Sequence, residues 1–373
     1  MAKKPTKKIE KNEGFLSSFK EKNGMGKKKI KDKDMSWIPF NKAFHESTGC
    51  PGVPRGNTTQ FRGFSDTGKS TAMYETVVGA QKLGEFIVII DTEGSWNWAH
   101  VRDIGVRFEE IVDEETGEVI DYRDGDNLLF ASGKDLLDMY RKWNYKDGKP
   151  SSNSLRNIPV IEDVAKLINE VFDAQDAGDI DKPVTVVWDS IGSISCFAGA
   201  MSNTNNNMWN AGALNREFES ILNFRIPASR REKSEGDEVE NHWKTLVTVQ
   251  KIWLDSSGMG QPIIKHKGGE GFRFGVRLIF HLGGKTTSSS KALKATKDGQ
   301  DYQFGTQTKI EVFKNHLGVI TKKGEIVSTA HGYIGPNDID NYKKEHKDYI
   351  LEKLGGNFED FDVTESYIDD SAE

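Results

Sequence analysis

Apolar residues along this chain fall into two patterns. Phe86–Asp91 (FIVIID) is a continuous apolar run, and Val184–Asp189 (VTVVWD) and Thr245–Gln250 (TLVTVQ) are mostly apolar, all three with β-branched residues. Runs this short and without alternation predict strands covered on both faces. Asp126–Phe130 (DNLLF), Arg277–Leu282 and Thr308–Lys314 (TKIEVFK) predict further strands, and Thr58–Arg62 a short extended stretch. Helical spacing alternates with them. Met73, Val77 and Ala80 lie within Ser70–Leu83, and Val164, Ile168 and Val171 within Ile161–Gln175. Shorter helices are expected at 134–143 and at Asn215–Phe224. This succession predicts an α/β fold: a mostly parallel central sheet flanked by helices, with any site at the carboxyl edge. The order of the strands in space does not follow from spacing.

The polar stretches predict the surface. Residues 107–125 read as an exposed β-hairpin turning at Thr116-Gly117. The stretches 144–157 and 284–301 read as surface excursions, and the asparagine-rich part of 201–215 as mobile. Residues 251–271 read as one long loop. Pro51, Gly52, Pro54 and Gly56 enforce turns ahead of the first core strand. A closing helix is expected within 339–355. The resulting division is a basic arm at 1–36, a core at 37–320, a small helical extension at 321–357 and an acidic tail at 358–373. The arm offers one short apolar helical turn around Leu16 and Phe19.

The strongest chemical signal is Gly63–Ser70 (GFSDTGKS), a complete G-x-x-x-x-G-K-[ST] pattern between an extended stretch and a helix. Glycines let successive N–H groups turn toward a phosphate, and the following helix adds the positive end of its dipole. Gly63, Ser65, Asp66, Thr67, Gly68, Lys69, Ser70 and Thr71 are therefore the candidate nucleotide-binding residues. Lys69 would reach the β/γ-phosphates and Ser70 would hold Mg²⁺. Glu93 follows the strand 86–91 and is placed to act as general base for water, the plain alternative being a loop carboxylate or helix cap. Asp91 reads as structural. Asp189, at the end of the strand 184–189, would hold the water shell of Mg²⁺ opposite Ser70.

The 373-residue chain carries a net charge of −6, unevenly spread. Residues 1–34 hold twelve lysines against five carboxylates, and 358–373 hold seven carboxylates and no base. The arm suits nucleic acid or a neighbouring subunit, and the tail suits a polyanion mimic; either also reads as a solvated terminus. Cys50 and Cys196 lack metal-ligand spacing, so a reducing, cytoplasmic setting is expected. Neither a membrane span nor a secretory h-region is recognisable.

In their order GNTTQFRGFSDTGKST, VIIDTEGSW, DNLLF, VVWDSIGSIS, LVTVQKI, GGEGFRFGVRL and VFKNH, these motifs resemble the RecA family of recombinases, most closely phage recombinases of the UvsX type. The resemblance runs from about Trp37 to Gly318. It implies a RecA-like P-loop ATPase core with short flexible termini. It also implies a DNA-dependent ATPase that uses ATP and Mg²⁺, forms a helical filament on single-stranded DNA and pairs it with homologous duplex. A loading factor or single-strand-binding protein is a possible partner. By the resemblance Lys69, Glu93 and Gln250 are catalytic, Gln250 sensing γ-phosphate, and Asn97–His100 lies at the purine, with His100 the candidate contact. Phe274, Lys314 and His316 lie where the family reaches a neighbour's ATP. Asn206, Met208, Trp209, Lys251, Trp253, Lys265, Lys267, Gly268 and Gly269 lie where it binds DNA. His316 departs from the lysine of bacterial members, and 107–125, 144–157 and 284–301 lack a counterpart there. Two alternatives stay open: a hexameric replicative helicase on the same core, and a nucleotide-gated mediator without significant turnover.

Overall fold

The computed structural model describes Ser18, Lys22 and residues 35–373, except 114, 118, 124, 126, 143–144, 147–148, 151–155, 203–206, 231–241, 256–262, 267–268, 285–287, 298–299, 355–364 and 368–373. Leu16, Phe19, Asn206, Lys267 and Gly268 thus lie outside the described residues. The chain divides into two units, Met1–Asp34 and Met35–Glu373. The sheet and the helices that cover it belong to the second.

In chain order its strands are β1 (Trp37–Pro39), β2 (Gly52–Pro54), β3 (Thr58–Gly63), β4 (Phe86–Asp91), β5 (Glu109–Val112), β6 (Val119–Arg123), β7 (Leu128–Ser132), β8 (Tyr145–Lys146), β9 (Lys149–Pro150), β10 (Val184–Ile191), β11 (Lys244–Asp255), β12 (Ile263–His266), β13 (Leu278–Leu282), β14 (Lys291–Lys297), β15 (Gln300–Asn315), β16 (Gly324–Thr329), β17 (Gly332–Ile334) and β18 (Glu365–Tyr367). The main sheet has the order β17-β16-β15-β13-β3-β11-β10-β4-β7. From β13 to β7 all neighbours are parallel. β15, β16 and β17 continue the sheet antiparallel. The expected mostly parallel α/β architecture is present.

Helices cover both faces. On one lie α1 (Lys42–Thr48) and α2 (Lys69–Lys82). There Phe44, Phe61, Met73, Val77 and Phe280 form a fully buried cluster, with the Phe61 and Phe280 rings stacked at 5.0 Å. α3 (Trp98–Ile104) follows β4, and α4 (Gly133–Lys142) follows β7. α5 (Ile161–Ala177) buries Val164, Ile168 and Phe172 in the cluster of the opposite face, together with Trp188. Arg156, in the segment expected to be a surface loop, is buried and donates to Asp163 Oδ1 at 2.7 Å within an ion pair.

Four expectations need correction. After the short α6 (Phe197–Met201), helix α7 runs Asn207–Ser220, earlier than expected, and passes into a π-helical turn (Ile221–Arg225) and then α8 (Ile226–Ser229). Among the asparagines, Asn210, Ala213, Leu214 and Phe218 make a buried stripe, and Phe218 stacks on Trp188 at 5.3 Å. The loop expected at 251–271 is a hairpin. β11 continues to Asp255 and pairs antiparallel with β12 before α9 (Gly269–Gly275). The excursion at 284–301 contains β14, which buries Ala292, Leu293 and Ala295. The stretch 321–357 holds β16 and β17 before its helices α10 (Ile339–Glu345) and α11 (Lys347–Leu354). In the acidic tail, β18 pairs antiparallel with β14. The hairpin at 107–125 forms as expected, from β5 and β6.

Candidate active site

The register of the parallel strands gathers the candidate residues at one sheet edge. Lys251 stands beside Gly63 and Gln250 beside Arg62 on β3. Gln250 also neighbours Ile191 of β10, and Asp189 of β10 pairs with Asp91 of β4. Between β3 and α2 the loop closes on itself: Thr67 Oγ1 donates to the Phe64 carbonyl at 3.0 Å, and Lys69 Nζ donates to the same oxygen. Gly68 takes φ 85° immediately before the helix, a conformation open to glycine at little steric cost. Gly68, as N-cap, has no side chain to cap the helix, so it leaves the first N–H groups facing the loop.

Charge inside the loop is tightly balanced. Burial pushes Lys69 down to about 8, against the pull of Asp189, Glu93 and Asp66. Burial, then Glu93 and Asp91, push Asp189 up to about 7, with Lys69 opposing. Asp189 Oδ2 is buried and has no hydrogen-bond partner among the described residues. A buried ammonium, an unsatisfied carboxylate oxygen and an open helix N-terminus together fit a phosphate with a divalent cation. Ser70 is half-buried and Thr71 buried at the start of α2; Ser65 and Asp66 are exposed in the loop.

Asp91 shapes the turn that carries Glu93. Its Oδ1 accepts from the N–H of Glu93 (3.0 Å) and of Gly94 (2.8 Å), and its Oδ2 from that of Trp96 (2.9 Å). Glu93 itself is exposed and accepts from the Ser190 hydroxyl. Thr92 ties the ends of β4 and β10 together, its N–H donating to the Asp189 carbonyl at 2.7 Å and its hydroxyl receiving Trp188 Nε1 at 3.0 Å. Gln250 is 3% exposed. The His100 ring lies 5.6 Å from that of Tyr74, and burial lowers its pKa against the pull of Asp103.

The other candidates lie on two surfaces. Lys314 Nζ donates to the carbonyls of Arg273 (2.8 Å) and Phe274 (3.0 Å), so its charge caps the C-terminal end of α9. Burial, with Arg277 and Arg273 nearby, pushes Lys314 down to about 8. Phe274 is 68% exposed. His316 is tied through its backbone N–H to the Arg277 carbonyl at 3.0 Å. On the second surface Met208 and Trp209 are exposed at the start of α7. Trp253 faces Lys265 across the β11–β12 hairpin, where Lys265 pairs with Asp255; Lys251 is exposed at the hairpin base. At Gly269 an added Cβ would sit 2.5 Å from Ala211 Cβ, so this glycine serves the close approach of α9 to α7.

Sequence reading missed the residues behind the phosphate loop. Tyr333 on β17 donates its hydroxyl to the Gly68 carbonyl at 2.6 Å, and Glu75 of α2 accepts from the Tyr333 N–H at 3.1 Å and from Asn41 Nδ2 at 2.7 Å. The signal for them was Glu75, the one carboxylate within the buried run 71–80 of α2.

No protein-family model matches the chain. Part of it is similar to curated proteins named Protein RecA. The one from Nitratidesulfovibrio vulgaris (strain DP4) is 33% identical over 122 residues, which is 30% of this chain and 34% of that protein. The one from Methylococcus capsulatus is 30% identical over 108 residues, 28% and 31% of the two chains. That of Aquifex aeolicus is 29% identical over 101 residues, 26% and 29%. The chain thus matches about a third of the length of these relatives or less. The similarity supports a relationship to the RecA family.

Proposed function

We propose that this chain is an ATP-dependent homologous-recombination protein: a DNA-dependent ATPase that coats single-stranded DNA as a helical filament and promotes pairing and strand exchange with homologous duplex. The observation that carries the reading is the register at the sheet edge. It sets Asp189 beside Asp91 and Gln250 beside Arg62 at the edge where Lys69 and Glu93 share the field of Asp189, and Gln250 runs without a break into the hairpin that carries Trp253.

In this reading the N–H groups at the start of α2 and the Lys69 ammonium hold the β- and γ-phosphates. Ser70 and Asp189 would hold Mg²⁺, which supplies charge neutralisation on the phosphates when bound. Glu93, fixed by the Asp91 turn, takes a proton from the attacking water. Gln250 bonds the γ-phosphate with a neutral amide, and that contact sets the β11–β12 hairpin against the polynucleotide. Trp209, Trp253 and Met208 offer base-facing surfaces, and Lys251 a backbone contact, so binding is nearly independent of sequence. Phe274, Lys314 and His316 face the neighbouring subunit of the filament.

The test is anisotropy of a labelled oligonucleotide without nucleotide, with ADP and with a non-hydrolysable ATP analogue, paired with electron microscopy. Nucleotide-dependent binding and helical filaments are expected, and Lys69→Ala should abolish the ATP-dependent part. Equal binding in all three states would overturn the reading. Rings that unwind duplex would replace it with a helicase.

A further inference from the structure

The last strands of the sheet reach the phosphate loop from behind. Tyr333 is 3% exposed, and its hydroxyl donates to the Gly68 carbonyl at 2.6 Å across 265 residues of sequence. The same carbonyl accepts the first bond of helix α2, from the Ala72 N–H, at a long 3.3 Å. Tyr333 is itself held at both backbone groups: its N–H donates to Glu75 Oε1 at 3.1 Å, and its carbonyl accepts from Asn41 Nδ2 at 2.5 Å. Asn41 Nδ2 also bonds Glu75, and Asn41 Oδ1 accepts from the Phe44 N–H at 3.2 Å, capping α1. The Tyr333 ring stacks on Phe44 at 6.0 Å. Ring, backbone and hydroxyl are thus each fixed by a different element.

We propose that Tyr333 is a positioning residue of the phosphate loop, acting through the Gly68–Lys69 peptide. The proposal rests on the function given above. The Gly68 C=O and the Lys69 N–H share one peptide plane and point in opposite directions. A hydroxyl that holds the carbonyl back along α2 therefore aims the Lys69 N–H out of the helix end, where a phosphate is received. Gly68 needs such a hold: a glycine at φ 85° flips its peptide more freely than any other residue. A flipped peptide would present the carbonyl's negative end to the phosphate. Tyr333 touches neither nucleotide nor reacting atoms; it acts on the donor that does.

The test uses the full chain and two variants, Tyr333→Phe and Tyr333→Leu, with ADP and a non-hydrolysable ATP analogue in Mg²⁺, titrated by calorimetry well below the melting temperature. Loss of the hydroxyl alone in Tyr333→Phe should raise the Kd of both nucleotides about fivefold, the worth of one hydrogen bond. Tyr333→Leu, which also loses the ring, should lower the melting temperature further without weakening nucleotide binding much beyond the Phe variant. Three results would overturn the positioning role: a Phe variant with parental affinity, weakening confined to the Leu variant, or a Phe variant that fails to fold. A parent chain that binds neither nucleotide would instead remove the proposed function, and this inference with it.

Discussion

Replacing Asp189 with Asn should stabilise the ligand-free protein, by an amount that grows with pH. Asp189 is 2% exposed, and burial with Glu93 and Asp91 pushes it up to about 7 from the ordinary 3.8. The folded chain therefore holds this proton more tightly than the unfolded chain. The stability it contributes is complete below about pH 4 and is lost as pH rises through about 7. At about 1.36 kcal/mol per pKa unit, the shift from 3.8 to about 7 sets a ceiling of about 4 kcal/mol on the loss. Lys69 reduces the gain in the variant. Burial already depresses it to about 8, and it would lose the attraction of Asp189. A net gain of about 2 kcal/mol is expected above pH 7. Urea unfolding in EDTA at pH values from about 4.5 to 8 reads it directly. The two proteins should nearly coincide at the acid end, separate through the middle of the range and run parallel at the alkaline end. Under the proposed function the order should reverse with Mg²⁺ and nucleotide, because an amide in place of the Asp189 carboxylate would hold the cation less well. A gap that does not change with pH, or an Asn variant less stable than the parent in EDTA at pH 8, would refute the reasoning.

Glu93→Gln should still bind ATP and DNA but release phosphate at least ~10²-fold more slowly, the usual worth of a positioned general base; an unchanged kcat would move the base elsewhere. Asp91→Ala removes the acceptor of three turn N–H groups, so Glu93 should drift, and kcat should fall on the order of 10²-fold with little change in KM. Parental kcat in steady-state phosphate release would show that the turn holds without it. Gly275→Ala would place a Cβ 2.7 Å from Leu222 Cδ1, and overpacking of α9 on the π-helical turn should cost about 1–3 kcal/mol in urea unfolding; a neutral result would mean that the two elements separate easily. Arg156→Ala leaves Asp163 buried without its ion-pair partner and should cost about 3–5 kcal/mol, whereas a loss under 1 kcal/mol would mean that water reaches Asp163.

The strands buried on both faces were legible because FIVIID and VTVVWD are short, β-branched and bounded by polar residues, and the turn from β3 into α2 because its glycines and the helix-compatible run after it mark both ends. The carboxyl-edge placement of Glu93, Asp189 and Gln250 follows from those two facts. What stayed hidden shares one cause: the sequence pattern was set by a neighbour far along the chain. KALKATK reads as polar, yet Ala292, Leu293 and Ala295 are buried, and the lysines between them hide the strand. The asparagines before Asn215 obscure a helix, because Asn210 is buried by an accepted bond from the Cys196 N–H at 2.8 Å rather than by hydrophobicity. Lys251 to His266 reads as loop because the intervening glycines and serines separate two strands that alternate only weakly. Arg156 looks like one more charge in a polar stretch until Asp163 is seen beside it.

The contact between Tyr333 and Gly68 also bears on how the protein is made. A ribosome delivers the phosphate loop early and its support 265 residues later, an interval of roughly 13–53 s at ordinary elongation rates. During that time the emerging chain carries Gly68 with its carbonyl unheld, and the strand that fixes it is still to come. The Gly68 peptide of a nascent polypeptide should therefore settle into its final orientation only after β17 has left the ribosome and paired with β16.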